Sequence, residues 1–496
     1  MNKMNTIRLL SVLTLILILA ACTSNDTPST ELIDNPELIV PGYVTDTVES
    51  GLMDNRLWLQ DYSNYMHAVQ LMATVSRDSE YGHEAYRPEL YPDEMVRRAE
   101  QWLTLVQYTD FIFNNEGWFA PWIEEQNDGY LLSDGVDLSV YPHLVYAYHI
   151  HHRSGRFDFD ETLYNRLNRE ATNYLVTPGQ YLLNEKLQDG RFMHQDGSTD
   201  HKSMSYGLGG IHANAYSWVV WGKPGGEDTM GVIDEAVLEH WMGHGIEEMV
   251  QFYRDVAGTL DEAWIGSRSI YDFGDGTIWH LDAVGAMIRG KKAMYDFLYM
   301  FGDENDQEVS ELLFERTAAM LEAVMPAAEP WGLPEKIEFT DNGVVPASDT
   351  VSLYDWYQYL NHLGGGYGFD REREGMPMYI TNVREDLFEQ IGELSDMALQ
   401  GVLDYHVNSD GRLITTVSAE DGSPSDERLS VSTAGMFITM AANNYRKGSA
   451  FERASDWNDV DSDVAERSRQ LYDLKFRLME KLDAVVTMPE SQTPSE

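Results

Sequence analysis

The densest run of residue types able to move protons or hold a polar ligand lies between Arg191 and Trp221. It holds His194, Asp196, Asp200, His201, Lys202, Ser203, Ser205, Tyr206, His212, Asn214, Tyr216, Trp218 and Trp221. At its centre stands His212-Ala213-Asn214-Ala215-Tyr216-Ser217-Trp218. On a helix His212 and Tyr216 share a face and Asn214 lies roughly opposite. On an extended segment leading into a helix, all three can point the same way. This set suits β-elimination on a uronic acid. Neutral donors such as Asn and His offset the sugar carboxylate, so that the C5 proton becomes acidic enough to remove. A His or Tyr takes that proton, and a Tyr returns one to the leaving oxygen. The expected roles are His212 or Tyr206 as base, Tyr216 as acid and Asn214 or His201 as neutraliser. Arg191 and Lys202 would hold uronate or sulfate groups, and Trp218 would lie against the sugar. The plainer alternative is a set of helix-packing aromatics with capped polar neighbours.

Two further clusters offer different chemistry. Tyr271 to Asp282 places Asp272, Asp275 and Asp282 around Trp279 and His280, both expected to contact substrate, at an expected loop-to-helix junction. A glycoside hydrolase needs two carboxyl groups, one an acid with a raised pKa and one a base or nucleophile. Together with Asp355, these aspartates are the candidates for that pair, although aspartate at such a junction is also the ordinary helix cap. Tyr354-Asp355-Trp356-Tyr357-Gln358-Tyr359 is followed by Gly364-Gly365-Gly366-Tyr367. Tyr354, Trp356 and Tyr367 are candidate sugar-stacking platforms, on a segment whose glycines allow closure over a substrate. His240, His244, Glu247 and Glu248 have the spacing of a metal pair on one helix, but Trp241 stands where a zinc protease carries its glutamate. No metal and no cofactor is expected. Neither Gly-rich stretch has the context of a phosphate loop.

These residues need elements to hold them. Apolar residues recur at helical spacing in Tyr65 to Met72, Met95 to Phe113, Val237 to Val256, Ala283 to Phe301, Val309 to Val324, Leu387 to Tyr405 and Val464 to Val485. Two-residue alternation is confined to Ile337-Glu338-Phe339 and Arg412 to Val417, which predict small hairpins. The chain therefore reads as mainly α. Loops with Asp128-Gly129, Asp189-Gly190, Asp275-Gly276 and Asp410-Gly411 each precede a helix rich in small residues. The recurrence gives a period near 60–65 residues, enough for a helical hairpin and its loops. Six or seven such hairpins fill residues 51–487 as one (α/α) toroid, closed or incomplete, with short β-hairpins in the loops. The phrases Met287-Ile288-Arg289-Gly290 … Tyr295 … Phe301-Gly302-Asp303 and Ser432-Thr433-Ala434-Gly435 … Tyr445 … Gly448 resemble those of (α/α) toroid carbohydrate-active enzymes. The stretch around Asn214 is similar to the Asn/His and Tyr/Trp cluster of alginate-lyase-like toroids, with the His placed two residues before the Asn. The resemblance implies a funnel at one end of the ring and a glycan substrate.

Composition excludes other classes. The chain has 82 acidic and 35 basic residues among 496, a net charge of −47, and no basic run to meet the phosphates of a nucleic acid. Its single cysteine, Cys22, rules out an internal disulfide and Cys-based metal clusters. Residues 1–21 read as a signal peptide, with Lys3 and Arg8 before the apolar Leu9 to Leu19. Leu19-Ala20-Ala21-Cys22 resembles a bacterial lipobox, which implies a lipid anchor on Cys22 and a periplasmic or surface address. Residues 22–50 read as a tether and 488–496 as a polar tail. The expectation is a membrane-anchored polysaccharide lyase acting on a uronate-containing glycan. The alternatives are a glycoside hydrolase using an aspartate pair on the same scaffold, and a glycan-binding lipoprotein without catalysis.

Overall fold

Among the described residues, six helices stand side by side in a ring, each touching the next, and the last touches the first. In the computed structural model they are α1 (Leu59–Ala73), α3 (Tyr141–Tyr148), α4 (His201–Ile211), α6 (Leu281–Phe301), α8 (Leu353–Gly364) and α10 (Val431–Asn444). Outside them lie α2 (Asp93–Gln107), α5 (Ile246–Gly266), α7 (Glu304–Val324), α9 (Glu385–Gly401) and α11 (Ser462–Val485). The structure describes residues 39–44, 56–73, 93–108, 118–126, 129–133, 135–148, 176–211, 243–266, 276–364, 384–444 and 462–487. The architecture is an (α/α)6 toroid, as the helical periodicity and the Asp-Gly loops predict.

The inner helices carry small residues because their backbones nearly touch. A Cβ at Gly290 of α6 would lie 2.4 Å from the Cβ of Leu208 on α4, and one at Gly435 of α10 would lie 2.7 Å from the carbonyl of Asn64 on α1. Neighbouring contacts advance together along the chain. Asp61 meets Ser432 and Asn64 meets Gly435; Tyr206 meets Asp282 and Leu208 meets Gly290. These neighbours are therefore parallel, with their N-terminal ends at one mouth. The outer helices run the other way. Tyr62, in the first turn of α1, donates to the carbonyl of Leu105 near the end of α2. Tyr295, late in α6, meets Ser310 and Phe314 in the first half of α7. Between the two layers lies a continuous core that includes the fully buried Trp102, Trp118, Trp279 and Trp356.

The strands gather at the mouth. β2 (Arg56–Trp58), β7 (Ile278–His280), β10 (Thr350–Ser352) and β13 (Leu429–Ser430) each run straight into an inner helix. β2 pairs with β3 (Trp122–Gln126) and β3 with β4 (Gly129–Leu132). β7 pairs with β8 (Lys336–Thr340) and β8 with β9 (Gly343–Pro346), all antiparallel. β10 pairs with β11 (Thr416–Ser418) and β11 with β12 (Pro424–Asp426). β5 (Leu187–Gln188) and β6 (Arg191–Phe192) form a hairpin turned by Asp189 and Gly190, both at positive φ, as a tight two-residue turn requires. β1 (Tyr43–Val44) pairs with β13.

Three local expectations need correction. The helix expected over Val237 to Val256 begins at Ile246, because Gly243 takes a φ of 73° just before it; residues 237–242 lie outside the described residues. Of Arg412 to Val417, only Thr416 and Val417 belong to a strand of the β10–β11–β12 sheet. The helix expected to Tyr405 ends at Gly401 and widens into a π-helical turn over Val402–His406. Among the described residues, no helix is long and apolar enough to cross a membrane.

Candidate active site

Acidic side chains stand in the first turns of three inner helices, all at the mouth. They are Asp61, third in α1; Asp282, second in α6; and Asp355, third in α8. The first turn of a helix favours a carboxylate, because its free N–H groups point outward. That explains the residue type but not the surroundings, which differ from one acid to the next.

Asp282 collects donors. Its carboxylate accepts the hydroxyl hydrogen of Tyr206, from the neighbouring helix α4, and the amide N–H of Ala283 at 2.7 Å. Burial raises its pKa, while these two bonds and the charge of Lys202 oppose the rise. Asp355 has less support. Ser352 caps its helix, accepting the Asp355 amide at 3.3 Å, and its hydroxyl also bonds the carboxyl. Burial pushes Asp355 well above the carboxylate range, and the negative charges of Asp282 and Glu335 push it further. Burial raises both carboxyls, and Asp355, which also feels the charges of Asp282 and Glu335, is raised the further of the two. Both side chains keep part of their surface open, although protein surrounds them. Asp61 is different again: it is nearly closed off and holds the Ser432 hydroxyl at 2.6 Å, and burial moves its pKa up to about 7.

The structure brings several residues of the expected sets together. Tyr206 lies on Asp282; burial first, and the Asp282 charge second, hold it as the neutral phenol. It is thus a donor in this structure, not a poised base. His201 opens α4 and stacks on Trp279, with ring centroids 4.8 Å apart. Lys202 follows it, close enough to act on Asp282 and Asp355. His280 precedes α6, and its pKa falls to about 4 through burial and the charges of Lys202 and Lys336. The Tyr354 hydroxyl meets the Asn64 side-chain amide at 3.4 Å; burial raises its pKa, and Asp355 adds to the rise.

Other expected residues stand elsewhere. Trp279 and Trp356 are fully buried, Trp279 between His201 and Phe339 and Trp356 stacked on Tyr359, so neither offers a ring face to a sugar. Arg191 is exposed on β6, whose turn rests against the outer helix α5 at Asp255. His244 lies before α5 rather than within a helix, and its ring nitrogens are 3.1 Å from Glu248 and 2.8 Å from Asn184. His212, Asn214, Tyr216, Trp218, Asp272, Asp275, Tyr367, His240 and Cys22 lie outside the described residues. Among the described residues, no group of three or more His, Cys, Asp or Glu side chains is placed to hold a metal ion.

The sequence reading missed Asp61, Glu335, Lys336 and Ser432. Asp61 sits in an amphipathic run that reads as ordinary helix, and Glu335 and Lys336 sit at the edge of an alternating segment. The usable signal was positional: an acid two or three residues after a short strand recurs at Asp61, Asp282 and Asp355.

No family model matches this chain, and no curated protein matches it. Solved structures do resemble it in outline. An α-1,2-mannosidase from Trichoderma reesei aligns over 85% of this chain and 79% of its own, at 12% identity and a TM-score of 0.44. A D-mannose isomerase aligns over 82% and 90%, at 9% identity and a TM-score of 0.42. A cold-adapted family 8 xylanase aligns over 92% and 89%, at 10% identity and a TM-score of 0.33. The likeness is one of helical architecture, and the chemistry has to be argued from this chain's own residues.

Proposed function

We propose that this protein is a glycoside hydrolase, with Asp355 as general acid and Asp282 as the ionised base or nucleophile. One observation carries the reading. Two carboxyl groups stand at the mouth in first turns of adjacent inner helices, and burial raises both unequally: Asp355 is pushed well above the carboxylate range, whereas the Tyr206 hydroxyl, the Ala283 amide and Lys202 oppose the rise at Asp282. Such a divided pair is what acid–base cleavage of a glycosidic bond uses. Asp355 gives its proton to the leaving oxygen. Asp282, kept charged by Tyr206 and the Ala283 amide, activates water or attacks the sugar carbon. The elimination reading depends on His212, Asn214 and Tyr216, outside the described residues, and on Tyr206 as a base, which its bond to Asp282 opposes.

The test is a panel of oligosaccharides assayed for new reducing ends. Asp355→Asn and Asp282→Asn should each lower turnover by about 10²–10⁴-fold with little change in melting temperature. Full activity in either variant removes that residue from the mechanism. Products with a conjugated double bond, seen by ultraviolet absorbance, would restore elimination. The surface address is part of the same proposal: a labelled fatty acid should attach to the protein in a bacterial host, and Cys22→Ser should abolish the label.

A further inference from the structure

Beside the acid pair the mouth carries two lysines, Lys202 and Lys336, that make no ion pair among the described residues. In the antiparallel β7–β8 ladder, His280 stands directly opposite Lys336, so the two side chains share one face of the sheet. The opposite face holds Trp279 and Ile337, buried in the core. The ladder continues one step further, where the Leu281 amide donates to the carbonyl of Glu335 at 2.9 Å. This fixes Lys336 next to the first turn of α6, which carries Asp282. Lys202, in the first turn of α4, approaches the same place and acts on His280, Asp282 and Asp355.

Both lysines are half-buried. Arg56, Arg98, Arg254, Arg384, Arg428 and Arg467 each form an ion pair with an acidic side chain. Neither Lys202 nor Lys336 has an ion-pair partner among the described residues, in a chain with 82 acids to 35 bases. Burying part of a cation is unfavourable unless a counter-charge makes direct contact, and an arriving anion would supply that contact. Burial pushes the imidazole of His280 toward its neutral form, and the charges of Lys202 and Lys336 add to that effect.

We propose that Lys202, His280 and Lys336 form a subsite for an anionic substituent, a carboxylate or a sulfate, on the sugar bound next to the acid pair. The lysines supply charge and the imidazole supplies a directional N–H. The subsite's place in a reaction rests on the hydrolase reading, but its ligand chemistry is tested by binding alone. Calorimetric titration of the full chain with D-glucuronate, glucose 6-sulfate and glucose, at about 0.1 M salt, is the experiment. At least one charged sugar should bind about tenfold or more tightly than glucose. A preference for glucuronate identifies a uronate, and a preference for the sulfate ester identifies a sulfated sugar. Lys336→Gln should erase the advantage and Lys336→Arg should keep it. Equal affinity for all three sugars, no binding by any, or an undiminished preference in Lys336→Gln would overturn the proposal. Asp355→Asn separates the two readings: it should bind glucuronate or the sulfate ester as the parent does, and unimpaired turnover in it would count against the hydrolase and leave the subsite standing.

Discussion

Tyr206 gives its hydroxyl hydrogen to Asp282, and this bond helps decide which of two carboxyls is left with the proton. Removing it has a signed consequence. Tyr206→Phe takes away a donor that lowers the Asp282 pKa, so Asp282 stays protonated to higher pH. The acidic limb of the pH–rate profile should therefore move up, as a kcat/KM profile would read. With Asp355 as the proposed acid, its raised pKa should carry activity toward higher pH and set the alkaline limb of the same profile. Asp61 makes a prediction about stability. Its folded pKa of about 7 exceeds its ordinary value of 3.8, so the folded state holds the proton more tightly. That contribution is full below about pH 4 and disappears as pH rises to about 7. Asp61→Asn keeps an acceptor for Ser432 and cannot ionise. It should melt close to the parent at pH 4 and above it at pH 8, by up to about 4 kcal/mol in unfolding free energy. An equal effect at both pH values would count against a buried, protonated Asp61.

Where an inner helix meets its neighbour, side-chain size matters more than polarity. Gly290 faces the Cβ and carbonyl carbon of Leu208, at 2.4 and 2.7 Å from a would-be Cβ. Backbone cannot rotate aside as a side chain can. Gly290→Ala should cost about 1–3 kcal/mol in chemical denaturation, despite the higher helix propensity of alanine. Helical spacing and small-residue content made these elements legible in the sequence, and so did the Asp-Gly loops that lead into them. Their ends were less legible. The start of α5 depends on Gly243 adopting positive φ, and the end of α9 on a π-helical widening; neither leaves a mark in apolar periodicity. The candidate site was legible in part for the same reason. Asp282 was visible as an acid at an expected loop-to-helix junction and Asp355 only as a further candidate acid in an aromatic run, whereas Trp279 and Trp356 beside them looked exposed and proved buried. An indole in a polar sequence neighbourhood reads the same whether it faces the funnel or the core.

Across the whole ring, the excess of acid acts as a self-repulsion that salt can screen. The Debye length falls from about 10 Å at 0.1 M to about 3 Å at 1 M salt, so the melting temperature should rise over that range at neutral pH. A fall would mean that the ion pairs around Arg254, Arg384 and Arg98 outweigh the net charge of −47. Ring closure is also a matter of the whole chain. Ile39 bridges to Thr487, just past α11, and Tyr43–Val44 pairs with Leu429–Ser430, just before α10. The first and last described segments thus share one seam at the mouth. A short linker could splice them there, and new termini opened in a different rim hairpin, such as the Asp341–Asn342 turn between β8 and β9, would yield a circular permutant with every helix still beside its present neighbours.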